Sequence, residues 1–136
     1  MTPRRVRGLG AGRRTRRSLG KGGTGTAGAL NEILGGWPRV KITPMFGRWG
    51  YFVGGRLFAC FPLRAKDTDL WIRLSKEDQR RAVDSGAFVP HPRLGGQGWV
   101  VRRIAELRDA GNTMSWLKKG YETARKTVER EEREEP

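Results

Sequence analysis

Apolar residues recur at Leu30, Ile33, Leu34 and Trp37, the i, i+3, i+4, i+7 spacing of one helical face. Thr26 offers a capping hydroxyl ahead of them, and Gly35-Gly36 with Pro38 ends the run. From Arg39 the period becomes two. Val40 and Ile42 alternate with Arg39, Lys41 and Thr43, as in a strand with one buried face. Tyr51-Phe52-Val53 and the run from Leu57 to Phe61 flank Gly54-Gly55, which suits a hairpin closed by a two-residue primed turn. Leu70 to Leu74 predicts another strand, with Trp71 at its middle as a core residue. Ser75 with Asp78 three residues on opens a helix expected to run to about Ser85 and to end at Gly86. Phe88-Val89 and Trp99-Val100-Val101 predict short strands either side of a Pro/Gly loop. A last helix is expected from about Ser115, with Leu117, Tyr121, Ala124 and Val128 on one stripe.

These elements predict an α+β fold: one domain, an antiparallel sheet of five or six strands, and helices packed mainly on one face. Residues 27–128 form that domain, and the charged tail 129–136 loses the apolar stripe and is expected to fray. Residues 1–26 are a different kind of chain. They hold Arg4, Arg5, Arg7, Arg13, Arg14, Arg16, Arg17 and Lys21, seven glycines and no acidic side chain. With Val6, Leu9 and Leu19 as their sizeable apolar groups they cannot bury enough surface to offset ordering, so a disordered basic arm is expected. Two motifs inside it fail on chemistry. Arg16-Arg17 resembles a twin-arginine signal, but no hydrophobic stretch follows. Lys21-Gly22-Gly23-Thr24-Gly25 resembles a phosphate loop, but no strand precedes it to aim it.

The 136 residues fit a single domain, and their formal net charge of +14 calls for an anionic partner. Nucleic acid is the partner expected, through the eight basic residues of the arm and through Arg48, Arg93, Arg102 and Arg103 near loops and strand ends. Trp49, Tyr51 and Phe52 are dense enough to suggest a base-stacking platform, although such positions usually serve a core. Lys118 and Lys119 are unfavourable near the start of the last helix, a small cost that an anion would offset. Cys60 is the single cysteine, so no intramolecular disulfide is available and a cytoplasmic home is expected. No run of apolar residues is long enough to span a membrane. His91, between Pro90 and Pro92, reads as an exposed loop residue rather than a ligand. Asp67 and Asp69 read as turn residues. No metal site, cofactor, small-molecule substrate or catalytic constellation is expected.

Ile33-Leu34-Gly35-Gly36, Met45-Phe46-Gly47, Gly50-Tyr51-Phe52 and Gly55-Arg56-Leu57-Phe58-Ala59 together resemble the opening of the TfoX (Sxy) amino-terminal domain family. The resemblance extends over about residues 28–128. It implies a compact α+β domain, a regulatory role in competence gene expression where characterised, and no catalytic residues. Its motif residues Met45, Phe46, Gly47, Gly55, Phe58 and Ala59 are expected to be structural, with Gly47 in a positive-φ turn and Met45 and Phe46 packed beneath the hairpin. The expected function is therefore a non-enzymatic, nucleic-acid-associated regulator. The alternative is an adaptor that binds a transcription regulator without touching DNA.

Overall fold

The computed structural model describes residues 25–64 and 66–134; the stretch 1–24, and the expectation of a disordered arm with it, lies outside the described residues. The elements in chain order are α1 (Gly25–Gly35), β1 (Val40–Met45), β2 (Arg48–Val53), β3 (Arg56–Pro62), β4 (Asp69–Arg73), α2 (Lys76–Asp84), β5 (Val89–Pro90), a 3-10 turn (Gly95–Gln97), β6 (Trp99–Arg103) and α3 (Leu107–Glu134). The strands form one antiparallel sheet in the order β1-β2-β3-β4-β6-β5. This is the expected α+β architecture.

Two hairpins set the register. Gly54 and Gly55 take φ of 58° and 85°, so both central residues are left-handed and Val53 faces Arg56, as a primed turn requires. Phe46 and Gly47 repeat the geometry between β1 and β2, with φ of 52° and 75° and Met45 opposite Arg48. Tyr51 pairs with Ala59 but Phe52 pairs with Leu57, so Phe58 is an extra residue. This bulge turns both Phe58 and Ala59 toward the helices, where both are fully buried.

The core lies between the sheet and α1 and α3. Phe58 sits among three aromatic rings, with centroids 6.4 Å from Trp37, 6.5 Å from Tyr51 and 5.7 Å from Tyr121. The stripe Leu117, Tyr121, Ala124 and Val128 is buried as its spacing implies. Gly120 lets α3 approach the sheet closely: a Cβ there would stand 2.8 Å from Ile72 Cγ2 and 3.0 Å from the Arg73 carbonyl. In α1, Leu30 and Leu34 are buried, but Ile33 is exposed and Asn31 takes an inward place. Asn31 does so because Tyr51 Oη donates to its Oδ1 at 2.7 Å. Helix α1 takes in Gly25 and Thr26. In α2 the Ser75 cap accepts from the Asp78 amide at 3.1 Å.

Helix α3 starts at Leu107, eight residues before the expected position. The Asp109 carboxylate accepts from the Ala105 and Glu106 amides at 3.2 and 3.1 Å, and so satisfies donors at the entrance to the helix. It also runs on to Glu134 after its apolar stripe ends, held by ion pairs. Arg125 bridges Glu129 at 2.8 Å, and Arg39 reaches Glu132 at 2.8 Å from across the fold. With this start, Lys118 lies within the helix, its ammonium 4.9 Å from the Trp37 ring.

Candidate functional site: the open face of the sheet

Residues in direct antiparallel register share a face. Val40, Ile42, Tyr51, Ala59, Leu70, Ile72 and Val100 turn toward the helices, so their neighbours in sequence turn away. Trp71 is one of those neighbours. It pairs with Cys60 and Val101 and is half-buried on the far face, while Leu70 and Ile72 beside it are fully buried. The expected core role is therefore corrected: alternation within β4 gives its two flanking apolar residues to the core and Trp71 to the open face.

Around Trp71 the open face is polar and internally connected. The Arg48 guanidinium lies 4.0 Å from the Trp71 ring centroid. Its Nε donates to Cys60 Sγ at 3.2 Å, Nη1 to Asp69 Oδ2 at 3.4 Å, and Nη2 to the Asp69 and Cys60 carbonyls. Trp71 Nε1 donates to the same Asp69 oxygen at 2.9 Å. The His91 ring meets the edge of Trp71 at 4.3 Å between centroids. Only 8 % of His91 is exposed, which corrects the reading of it as an exposed loop residue. Its Nδ1 accepts from the Arg93 and Leu94 amides at 3.1 and 3.0 Å, so the loop is wound around the imidazole. Those two bonds place the proton of the neutral ring on Nε2. Burial lowers the His91 pKa, and Arg93 and Arg48 lower it further. Burial also pushes the Cys60 thiol up, against a downward pull from Arg48, which leaves it protonated and weakly nucleophilic at neutral pH.

Of the four basic residues expected on the domain, Arg48 caps Trp71, Arg93 is near enough to lower the His91 pKa, and Arg103 stands opposite Asp69 in the β4–β6 register. Arg102 belongs to the other face, opposite Leu70, with its guanidinium 5.8 Å from the Phe88 ring. The sheet as a whole carries six basic residues, Lys41, Arg48, Arg56, Arg73, Arg102 and Arg103, and one acidic residue, Asp69. Asp69 is already engaged by Arg48 and Trp71. The aromatic platform of Trp49, Tyr51 and Phe52 is not formed, because the same alternation splits it: Tyr51 is fully buried and Trp49 packs against the core, which leaves Phe52 opposite Lys41 on the open face.

Among the motif residues, Gly47, Gly55, Phe58 and Ala59 hold turns and core as described. Phe46 does not pack beneath its hairpin. It is 94 % exposed at the tip, because a left-handed residue in a two-residue turn projects its side chain away from the strands. Among the described residues no group of three or more His, Cys, Asp or Glu side chains is placed to hold a metal ion. No helix among them is long and apolar enough to cross a membrane.

The chain matches the family described as Luciferase domain over residues 55–117, a little under half of its length. No curated protein matches it. This finding overturns the TfoX resemblance, for which no family match exists. The residues that carried the resemblance explain the error: Ile33 to Gly36 end a helix, and Met45 to Gly47 and Gly54-Gly55 close two-residue turns. Such features recur wherever a helix leads into a meander of hairpins. The matched stretch runs from the β2–β3 turn into α3 and contains Cys60, Asp69, Trp71 and His91, but not Arg48.

Proposed function

We propose that this protein is a nucleic-acid-binding protein that engages phosphates with the cations of its open sheet face and with the arginine-rich stretch ahead of α1. The observation that carries this reading is the four-to-one excess of basic over acidic strand residues on the open face, Lys41, Arg48, Arg73 and Arg103 against Asp69, with that carboxylate tied down. In α3 the charges nearly balance, and carboxylates pair with cations along the helix. Twenty-one of the 28 basic residues are arginine. Guanidinium binds phosphate through two parallel hydrogen bonds and stacks on bases, which suits nucleic acid better than a generic acidic surface.

The test is fluorescence anisotropy of the full chain on a mixed-sequence oligonucleotide across a salt series. It is compared with a variant in which the seven arginines and Lys21 of residues 1–24 are replaced by Gln. Each phosphate neutralised on a single strand contributes a log–log slope of about −0.7. With roughly half of eight charges engaged, the variant's slope should be shallower by about three. Absence of binding by the full chain at about 50 mM salt, where such charge dominates, refutes the proposal.

The family match favours a second reading, a small-molecule site within residues 55–117, because four members of the Trp71 cluster lie there. A ligand retained through native purification, identified by mass spectrometry and lost in Trp71→Ala, would favour it.

A further inference from the structure

Phe46 is the most conspicuous side chain that this reading leaves unused. It sits at the first central position of a primed turn, φ 52°, where Asn or Gly is the usual occupant, and it is 94 % exposed. A bulky residue held in the left-handed region is a backbone outlier, and its ring gains almost nothing from packing. Neither fold stability nor turn chemistry accounts for a phenyl ring there.

Its surroundings point to an anionic, aromatic ligand. The Leu63 amide donates to the Gly47 carbonyl at 3.0 Å, so the β3–β4 loop, with exposed Arg64, Lys66 and Asp67 and a net positive charge, lies beside the tip. Leu63 and Arg64 line the same cleft as Gly25 and Thr26. Arg48, opposite Met45 in the same hairpin, leads from the tip to Trp71 on the open face.

We infer that Phe46 is a stacking residue: it receives an unpaired base of a single strand whose phosphates are held by Arg64 and Lys66. This inference rests on the nucleic-acid reading and names its substrate class. A duplex hides the faces of its bases, whereas a single strand presents them, and any base suits a phenyl ring. The occupant is therefore single-stranded nucleic acid of mixed sequence, and DNA and RNA are distinguished by testing both.

The experiment measures anisotropy of 20-nucleotide mixed-sequence DNA and RNA strands with the full-length wild type, Phe46→Ala and Phe46→Trp. Phe46→Ala should bind about tenfold more weakly to at least one of the two strands, in line with loss of one stacked base, with an unchanged salt slope. Phe46→Trp should bind within about twofold of wild type, because an indole also stacks. Exposure of the ring means both variants should keep the wild-type circular dichroism melt. Equal affinity of wild type and Phe46→Ala for both strands overturns the inference and leaves the nucleic-acid reading standing. Equal losses in the Ala and Trp variants also overturn it. Wild type that binds neither strand overturns both. Vesicles of phosphatidylserine and phosphatidylcholine serve as a parallel arm: Phe46-dependent binding there, with none on the strands, overturns the inference in favour of a membrane surface.

Discussion

Replacing Phe46 by Asn isolates the backbone strain of the β1–β2 turn. In the present chain a phenylalanine occupies φ 52°, followed by Gly47 at φ 75°. The left-handed region costs an ordinary L-residue roughly 1–2 kcal/mol, because Cβ crowds the following carbonyl, whereas Asn enters it routinely. With 94 % of the side chain exposed, removing the ring forfeits almost no buried surface. Asn-Gly is also the favoured pair for this turn. Phe46→Asn should therefore stabilise the domain by about 1 kcal/mol. In urea that moves the midpoint up by about 0.5 M, since m is about 2 kcal/mol/M for a domain of this size, and m itself should not change. The melting temperature should rise by about 4 °C. A variant less stable than wild type would show that the ring packs against Leu63 or Met45 in solution, and the argument from strain would fall. Stabilisation accompanied by weaker strand binding would be the usual exchange of stability for function at a strained site.

Two further outcomes test the core and the Trp71 cluster. Phe58→Ala removes a fully buried ring at the centre of three aromatic contacts and should cost about 3–5 kcal/mol in urea unfolding; a loss below about 1 kcal/mol would mean the bulge does not point Phe58 inward. His91 has its pKa lowered in the folded protein from the ordinary 6.5, so the unfolded chain takes up that proton first as pH falls. Stability should decline from near the unfolded value downward until the folded imidazole also protonates. The urea midpoint should therefore fall as pH drops through the ordinary 6.5, and the decline should flatten in His91→Asn, whose Oδ1 can accept the same loop amides. Equal slopes in the two proteins would assign the decline to other groups.

The sheet was legible wherever a turn fixed the register. Gly54-Gly55 named its hairpin, Ser75 with Asp78 named the start of α2, and period two named five strands. What escaped had identifiable causes. The start of α3 lies in Leu107–Asn112, where exposed Gly111 and Asn112 weaken the helical pattern and the defining contact is a side-chain cap by Asp109. Ile33 fits the apolar period of α1, yet Asn31 is buried because a partner on β2 satisfies it, and no local rule sees such a partner. The Trp71 cluster was hidden for a related reason. Its members come from β2, β3, β4 and the loop after β5, and only the strand order brings them together. Alternation alone would have placed Trp71 away from the core, since Leu70 and Ile72 are its neighbours. The apolar run from Leu70 to Ile72 masked that signal.

The uneven placing of charge ties the fold to the proposed activity. A sheet assembled for stability alone gains from opposite charges in cross-strand register. Here Lys41 stands opposite Phe52 and Arg73 opposite Trp99; of the strand cations on the open face, Arg103 faces the carboxylate of Asp69, which Arg48 also engages. Burial and nearby Arg56 lower the Arg73 pKa, so this guanidinium is held at some cost beside another cation. On α3, by contrast, Arg125 is matched by Glu122 and Glu129 at helical spacing, an arrangement that contributes to the helix and asks for no external partner. Arg125 is thus matched within its own helix, whereas Lys41 and Arg73 stand opposite uncharged residues across the sheet. An anion supplied from outside resolves that asymmetry, and a polyanion resolves it at several strands at once.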